Sequence, residues 1–117
     1  MLAYNAYISS TSPHQYAAGY YNGGWNTIST SSNTSDLNNW VHIVATYSGT
    51  TSTIYKNGLV IGTGTIGNNP DTSNLGKRWD MPDLVYGDYA LVNRYNRALS
   101  LAEIGTNFNA VKSRFGF

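Results

Sequence analysis

The chain has 117 residues, a net charge of +1, 11% charged residues and no cysteine, which suits one domain with a real core and leaves no room for a second. Without cysteine there is no disulfide scaffold, thiol catalysis or cysteine-ligated zinc. The seven basic residues are scattered, whereas nucleic-acid binding needs them grouped on one face.

No apolar run approaches the roughly 20 residues that cross a membrane, and the stretch after Met1 lacks the basic start and apolar run of a signal peptide. Ser, Thr, Asn, Gly and Tyr dominate, a bias suited to short strands joined by polar turns. In chain order, Tyr4 to Ser9 and Tyr16 to Tyr21 read as strands around a Ser12-Pro13-His14 turn. Asn22-Gly23-Gly24 breaks the chain, and Trp25 to Thr30 forms the other arm of a hairpin. Ser29 to Asn39 is a Ser/Thr/Asn run with Asp36, read as a loop or strand end with nothing to place in a core.

Trp40 to Tyr47 is the clearest strand. Val41, Ile43, Ala45 and Tyr47 share one face, and Trp40, His42, Val44 and Thr46 the other, a pattern that predicts a central strand covered on both sides. Thr51 to Lys56 and Leu59 to Thr65 flank Asn57-Gly58, the dipeptide favoured in two-residue hairpins because both positions take positive φ. Asn68 to Asp71 is a loop, Asn74 to Lys77 a short strand, and Trp79 to Leu84 irregular around Pro82. Tyr86 to Tyr95 reads as the last long strand.

The spacing predicts a helix from Leu101 to about Lys112. Ser100 is its N-cap, Glu103 closes a capping box, and Leu99 and Ile104 form a hydrophobic staple. Leu101, Ile104, Phe108 and Val111 make its apolar stripe. Gly105 costs this helix about 1 kcal/mol relative to Ala, so docking must hold it. Phe115 and Phe117 then end the chain as packing aromatics.

Three blocks, Trp40 to Gly49, Ile54 to Val60 and Tyr95 to Ile104, resemble in order and spacing the laminin-G-like, concanavalin-A-like jelly-roll domains. The segment Asn107 to Gly116 resembles the ends of such domains in tailed-phage structural proteins. The resemblance implies an all-β antiparallel jelly-roll sandwich over residues 1–117, shortened at its N-terminal side, with one C-terminal helix. Family members often carry an acidic pair in the strand before the third block, where this chain has Ala90-Leu91. The shortened sandwich leaves strand edges to be covered by copies of the chain or by other proteins.

Glycoside hydrolysis, which occurs on this sandwich, needs two carboxyl groups flanking the bond. The chain has one glutamate, Glu103, already at the helix cap, and no strand carries two aspartates on one face; no catalytic role is expected. His42 fits a satisfied, buried histidine better than a base. Asp71, Asp80, Asp83 and Asp88 are the candidate Ca²⁺ ligands, although loop aspartates mostly make turns. Candidate glycan-binding residues are Tyr20, Tyr21, Asn22, Trp25 and Asn26, with Arg78, Trp79 and Asp80, because sugar rings stack on aromatics while amides and carboxylates fix hydroxyls. Core or rim packing of Trp25 and Trp79 is the competing reading. The expected function is a non-catalytic structural or adhesion module of a phage virion, in a capsid decoration, tail or fibre. The alternative is a carbohydrate-binding module of a bacterial surface or secreted protein. Expected partners are virion proteins, copies of the chain or a surface glycan, with no nucleic acid and no membrane, at a virion or extracellular surface.

Overall fold

A computed structural model describes residues 2–4, 15–21, 24–31, 35–67 and 88–117, with backbone alone for Leu2–Tyr4, Tyr20, Tyr21 and Trp25. Six strands precede one helix: β1 (Leu2–Tyr4), β2 (Tyr16–Tyr21), β3 (Trp25–Ser29), β4 (Ile43–Ser48), β5 (Thr51–Lys56), β6 (Leu59–Thr65) and α1 (Leu101–Phe115). They form two three-stranded antiparallel sheets, ordered β1-β2-β3 and β4-β5-β6. Strands β2, β5 and β6 have the bounds expected from their patterns. Leu2–Tyr4 forms a strand, while the expected strand from Tyr4 to Ser9 lies, beyond Tyr4, outside the described residues, as does the short strand expected at 74–77.

The sheets stack face to face, β2 over β5 and β3 over β6. Tyr16, Ala18 and Ile54 are buried between them, with Ile28, Val41, Ile43, Ala45, Tyr47 and Ile61 packed around. The Val41-Ile43-Ala45-Tyr47 face is therefore the inner one. Glycine on β6 sets how closely the layers approach. A Cβ on Gly64 would come within 2.6 Å of Ile28 Cγ2, and one on Gly62 within 3.5 Å of Thr30 Cγ2. A side chain at Gly64 would press Ile28 away, whereas one at Gly62 would only touch Thr30.

The polar run before β4 does enter the interior. Asp36 has a side chain only 8% exposed and meets Lys56 Nζ of β5 at 3.0 and 3.1 Å. Tyr16 of β2 donates its hydroxyl to Asp36 Oδ2 at 2.9 Å. One carboxylate thus spans both sheets. Thr30 is also buried, exchanging its backbone N–H (2.9 Å) and its Oγ1 (3.0 Å) with the Tyr16 carbonyl and N–H. Ser, Thr, Asn and Asp lack the apolar bulk that marks a core position in sequence; charge and hydrogen bonding place Asp36 and Thr30 there instead.

The Asn57-Gly58 turn follows its expected chemistry, with φ of 50° and 82°. It is also bolted to the chain ahead of β4. Asn57 N–H donates to the His42 carbonyl at 2.8 Å, and its Oδ1 accepts from His42 N–H at 2.9 Å. A bulge between Ile54 and Tyr55 shifts the β5–β6 register. Among the described residues β5, not β4, is the middle strand of its sheet, because β4 pairs on one side only. Strand β4 also starts at Ile43 rather than at the expected Trp40; Trp40 and His42, in the segment just ahead of it, meet α1.

The long strand expected at Tyr86 to Tyr95 is absent over its described part, 88–95, which belongs to neither sheet. Alternation licenses a strand, but a partner edge makes one. Here Tyr89, Leu91, Val92 and Tyr95 are all exposed, so neither alternate set of side chains rests on a sheet.

Helix α1 starts at its expected cap and runs three residues past the expected end. Ser100 Oγ accepts from Glu103 N–H at 3.3 Å, and Glu103 Oε2 accepts from Ser100 N–H at 2.8 Å. Leu99 and Ile104 of the staple are buried. Gly116 ends the helix at φ 76°, where its N–H and that of Phe117 both reach the Lys112 carbonyl at 3.1 Å. Leu101, expected on the apolar stripe, is exposed. The first turn docks through Ile104, and Gly105 and Phe108 then pack against Gly58, which leaves Leu101 outside the contact. The stripe that docks is Ile104, Phe108, Val111 and Phe115.

Glycine chemistry gives opposed outcomes at two positions on this contact. A Cβ at Gly105 meets nothing within 4 Å, so Gly105→Ala should raise stability by up to about 1 kcal/mol. A Cβ at Gly58 needs positive φ and lies 3.4 Å from the Phe108 ring, so Gly58→Ala should lower stability by about 1–2 kcal/mol. Urea unfolding of both variants checks the pair; a destabilising Gly105→Ala would contradict this docking.

The cap also carries a pH signature. Arg97 Nη1 and Nη2 reach the two Glu103 oxygens at 2.8 and 2.6 Å. That fork, with the Ser100 N–H, holds the Glu103 carboxyl at about 2, below its ordinary 4.5. The folded value is depressed, so the cap contribution is fully present above about 4.5 and lost as pH falls through about 2. Both side chains are exposed, so the pair orients the chain more than it stabilises it. A carbon-detected NMR titration should place Glu103 near 2, and Arg97→Gln should return it toward 4.5. A wild-type midpoint near 4.5 would contradict the fork.

Candidate functional site

The turn end of the β2–β3 hairpin gathers four of the eight glycan candidates. Register sets Tyr21 opposite Trp25 and Tyr20 opposite Asn26. Directly opposed residues of an antiparallel pair share a face, so the four divide by twos. Tyr20 and Asn26 fall on the face that carries Tyr16, Ala18 and Ile28 toward the other sheet. Tyr21 and Trp25 fall on the face directed away from it. Tyr21 and Trp25 are thus an aromatic pair of positions on the outer face, next to the turn.

Two local features fix this end. Asn26 Nδ2 donates to the Gly24 carbonyl at 3.2 Å, tying its amide to the turn. Gly19 lies so close to β3 that a Cβ there would overlap the Asn26 carbonyl oxygen and come within 2.6 Å of Thr27 Cα. The backbone approach that positions Asn26 therefore requires glycine at 19. Sequence reading singled out the aromatics and amides but gave no signal for Gly19, whose role exists only across the register. Asn22, Arg78, Trp79 and Asp80 lie outside the described residues.

Of the candidate calcium ligands, Asp71, Asp80 and Asp83 lie outside the described residues, and Asp88 is exposed. Among the described residues no three His, Asp or Glu side chains gather as a metal site. Asp36 is taken up by Lys56 and Tyr16. Glu103, held at about 2 by Arg97 and Ser100, is ionised at neutral pH and engaged at the cap, so it has no proton to give as a general acid. No helix of the described residues is long and apolar enough to cross a membrane.

His42 departs from the expectation of a satisfied histidine. Its backbone is paired to Asn57, but its Nδ1 is buried without a hydrogen-bond partner among the described residues. Burial lowers its pKa from the ordinary 6.5. Its ring lies 5.8 Å from Phe108, in a chain of aromatics that continues from Phe108 to Phe117 (5.4 Å), Phe115 (6.3 Å) and Trp40 (5.4 Å). Arg114 sits over the Phe115 ring at 5.3 Å. The outer-face positions of Trp40 and His42 and the two terminal phenylalanines were the sequence signals for this seam. Their convergence on α1 was not readable from any one of them.

The third resemblance block acquires a physical meaning as a clamp on the helix start. Arg97 holds Glu103, Leu99 and Ile104 staple the entry, and Tyr95 Oη accepts from Asn107 Nδ2 at 3.3 Å.

Comparison with known proteins agrees with this architecture. The family model for the concanavalin A-like lectin/glucanases superfamily, of the third laminin-G type, matches residues 3–105. The match thus reaches well before Trp40, through the strands expected to be reduced. A solved structure of an S-layer domain-containing protein (residues 221–444) from Clostridium thermocellum ATCC 27405 is 26% identical, with a TM-score of 0.55. The alignment covers 82% of this chain and 52% of that one, so the chain spans about half the length of the protein it resembles. Comparison with curated proteins gives no match. With the family model covering most of its length and two antiparallel sheets stacked under a capped helix, the chain belongs to the concanavalin A-like lectin/glucanase superfamily.

Proposed function

We propose that this chain is a non-catalytic binding module of a bacterial or particle surface, taking a carbohydrate at the outer face of the β2–β3 hairpin end. The observation that carries the reading is the register that sets Tyr21 beside Trp25 on the face directed away from the second sheet. Two adjacent aromatic positions suit the apolar face of a sugar ring. Superfamily membership supports a carbohydrate ligand, and likeness to an S-layer domain-containing protein supports a surface location. Neither match points to a virion, so the phage role expected from the terminal segment gains no support from them. Strand edges covered by copies of the chain or by a larger protein remain part of the proposal.

The reading is non-catalytic because the one glutamate is engaged at the helix cap and the described aspartates form no facing pair. Titration calorimetry against a panel of cell-wall and surface polysaccharides should find a ligand for the intact chain. Trp25→Ala and Tyr21→Ala should each weaken it roughly tenfold, the scale of one lost aromatic contact. Incubation with the same ligand should release no reducing ends. Binding that survives both substitutions would move the site elsewhere, and hydrolysis would overturn the non-catalytic reading.

A further inference from the structure

The seam between α1 and the second sheet contains a buried, unpartnered imidazole nitrogen, an arrangement neither the fold nor the binding site requires. We infer that His42 makes the docking of α1 pH-sensitive, so that its protonation loosens the helix from the outer face of the sheet while the sandwich stays closed. The geometry is specific. The His42 main chain is held to Asn57 by two hydrogen bonds, at 2.8 and 2.9 Å, which fix where its side chain enters the seam. Its ring faces Phe108, the residue that also seats on Gly58 at 3.4 Å. Nδ1 is buried and has no partner among the described residues. Neutral imidazole tolerates this as an unused acceptor, whereas imidazolium carries N–H on both nitrogens and would leave a buried donor with no acceptor.

The charged groups of the adjoining elements do not offset that cost. In β5, Lys56 is committed to Asp36. In α1, Glu103 is committed to Arg97, and Lys112 and Arg114 are themselves cationic. A cation near the Phe108 ring gains some attraction from its face, but burial prevails and depresses the histidine. The sign follows. With a folded value below the ordinary 6.5, docking is strongest above about 6.5 and weakens as pH falls, until it levels off below the folded value.

The test is an NMR titration of the full chain, with His14→Gln assigning the two histidine signals. His42 should titrate below 6.5. Protection of the α1 amides from hydrogen exchange should fall between pH 7.5 and pH 5, approaching tenfold for each unit of that depression, while the β5–β6 amides keep theirs. In His42→Phe, or in His42→Gln if the larger ring disturbs folding, α1 protection should be flat across that range. Glu103, at about 2, stays ionised throughout. A His42 midpoint at or above 6.5 would overturn the inference, as would helix protection that falls equally in wild type and variant.

Discussion

A single carboxylate on a surface-looking loop closes this sandwich. Asp36 receives the Tyr16 hydroxyl from one sheet and the Lys56 ammonium from the other, and only 8% of its side chain is exposed. Two stacked sheets have no hydrogen bonds between their strands; apolar contact and occasional bridges must fix their spacing. Among the described residues the apolar part is built around Tyr16, Ala18, Ile54 and their half-buried neighbours. Gly64 permits the close approach against Ile28, and Asp36 joins the two layers through Tyr16 and Lys56.

The helix adds a third layer by a different logic. Its start is specified locally, by a capping box, a staple and the Arg97 fork, so the chain enters α1 at one angle. Its placement is specified tertiarily, through aromatics that meet the outer face beside the Asn57-Gly58 turn. That division explains how Gly105 is tolerated in the helix. Packing against Gly58 and His42 compensates for what propensity withholds.

Local chemistry was the legible part of the sequence. Asn57-Gly58, Ser100-Glu103 and the alternation of β2, β5 and β6 each state their structure within ten residues, and each is observed where expected. Signals that depend on a distant partner were not legible. Asp36 looked like any loop aspartate because Tyr16 and Lys56, 20 residues away on either side, give it its role. The 88–95 segment has the alternation of a strand and lacks a paired edge among the described residues. At the candidate site, sequence named the hairpin aromatics, but only register separates Tyr21 and Trp25 on the outer face from Tyr20 and Asn26 on the inner one.

The proposed binding module needs a rigid plate, and the Asp36 clasp joins the two sheets into one. A thermodynamic cycle on Asp36 and its two partners tests that most directly. Asp36→Ala should cost about 2–4 kcal/mol in urea unfolding, as loss of one member of a largely buried ion pair does. In the Asp36→Ala background, Tyr16→Phe and Lys56→Met should lose most of their own cost, with coupling of about 1 kcal/mol or more. Strictly additive effects, or an Asp36→Ala variant as stable as the wild type, would show that the sheets close without it.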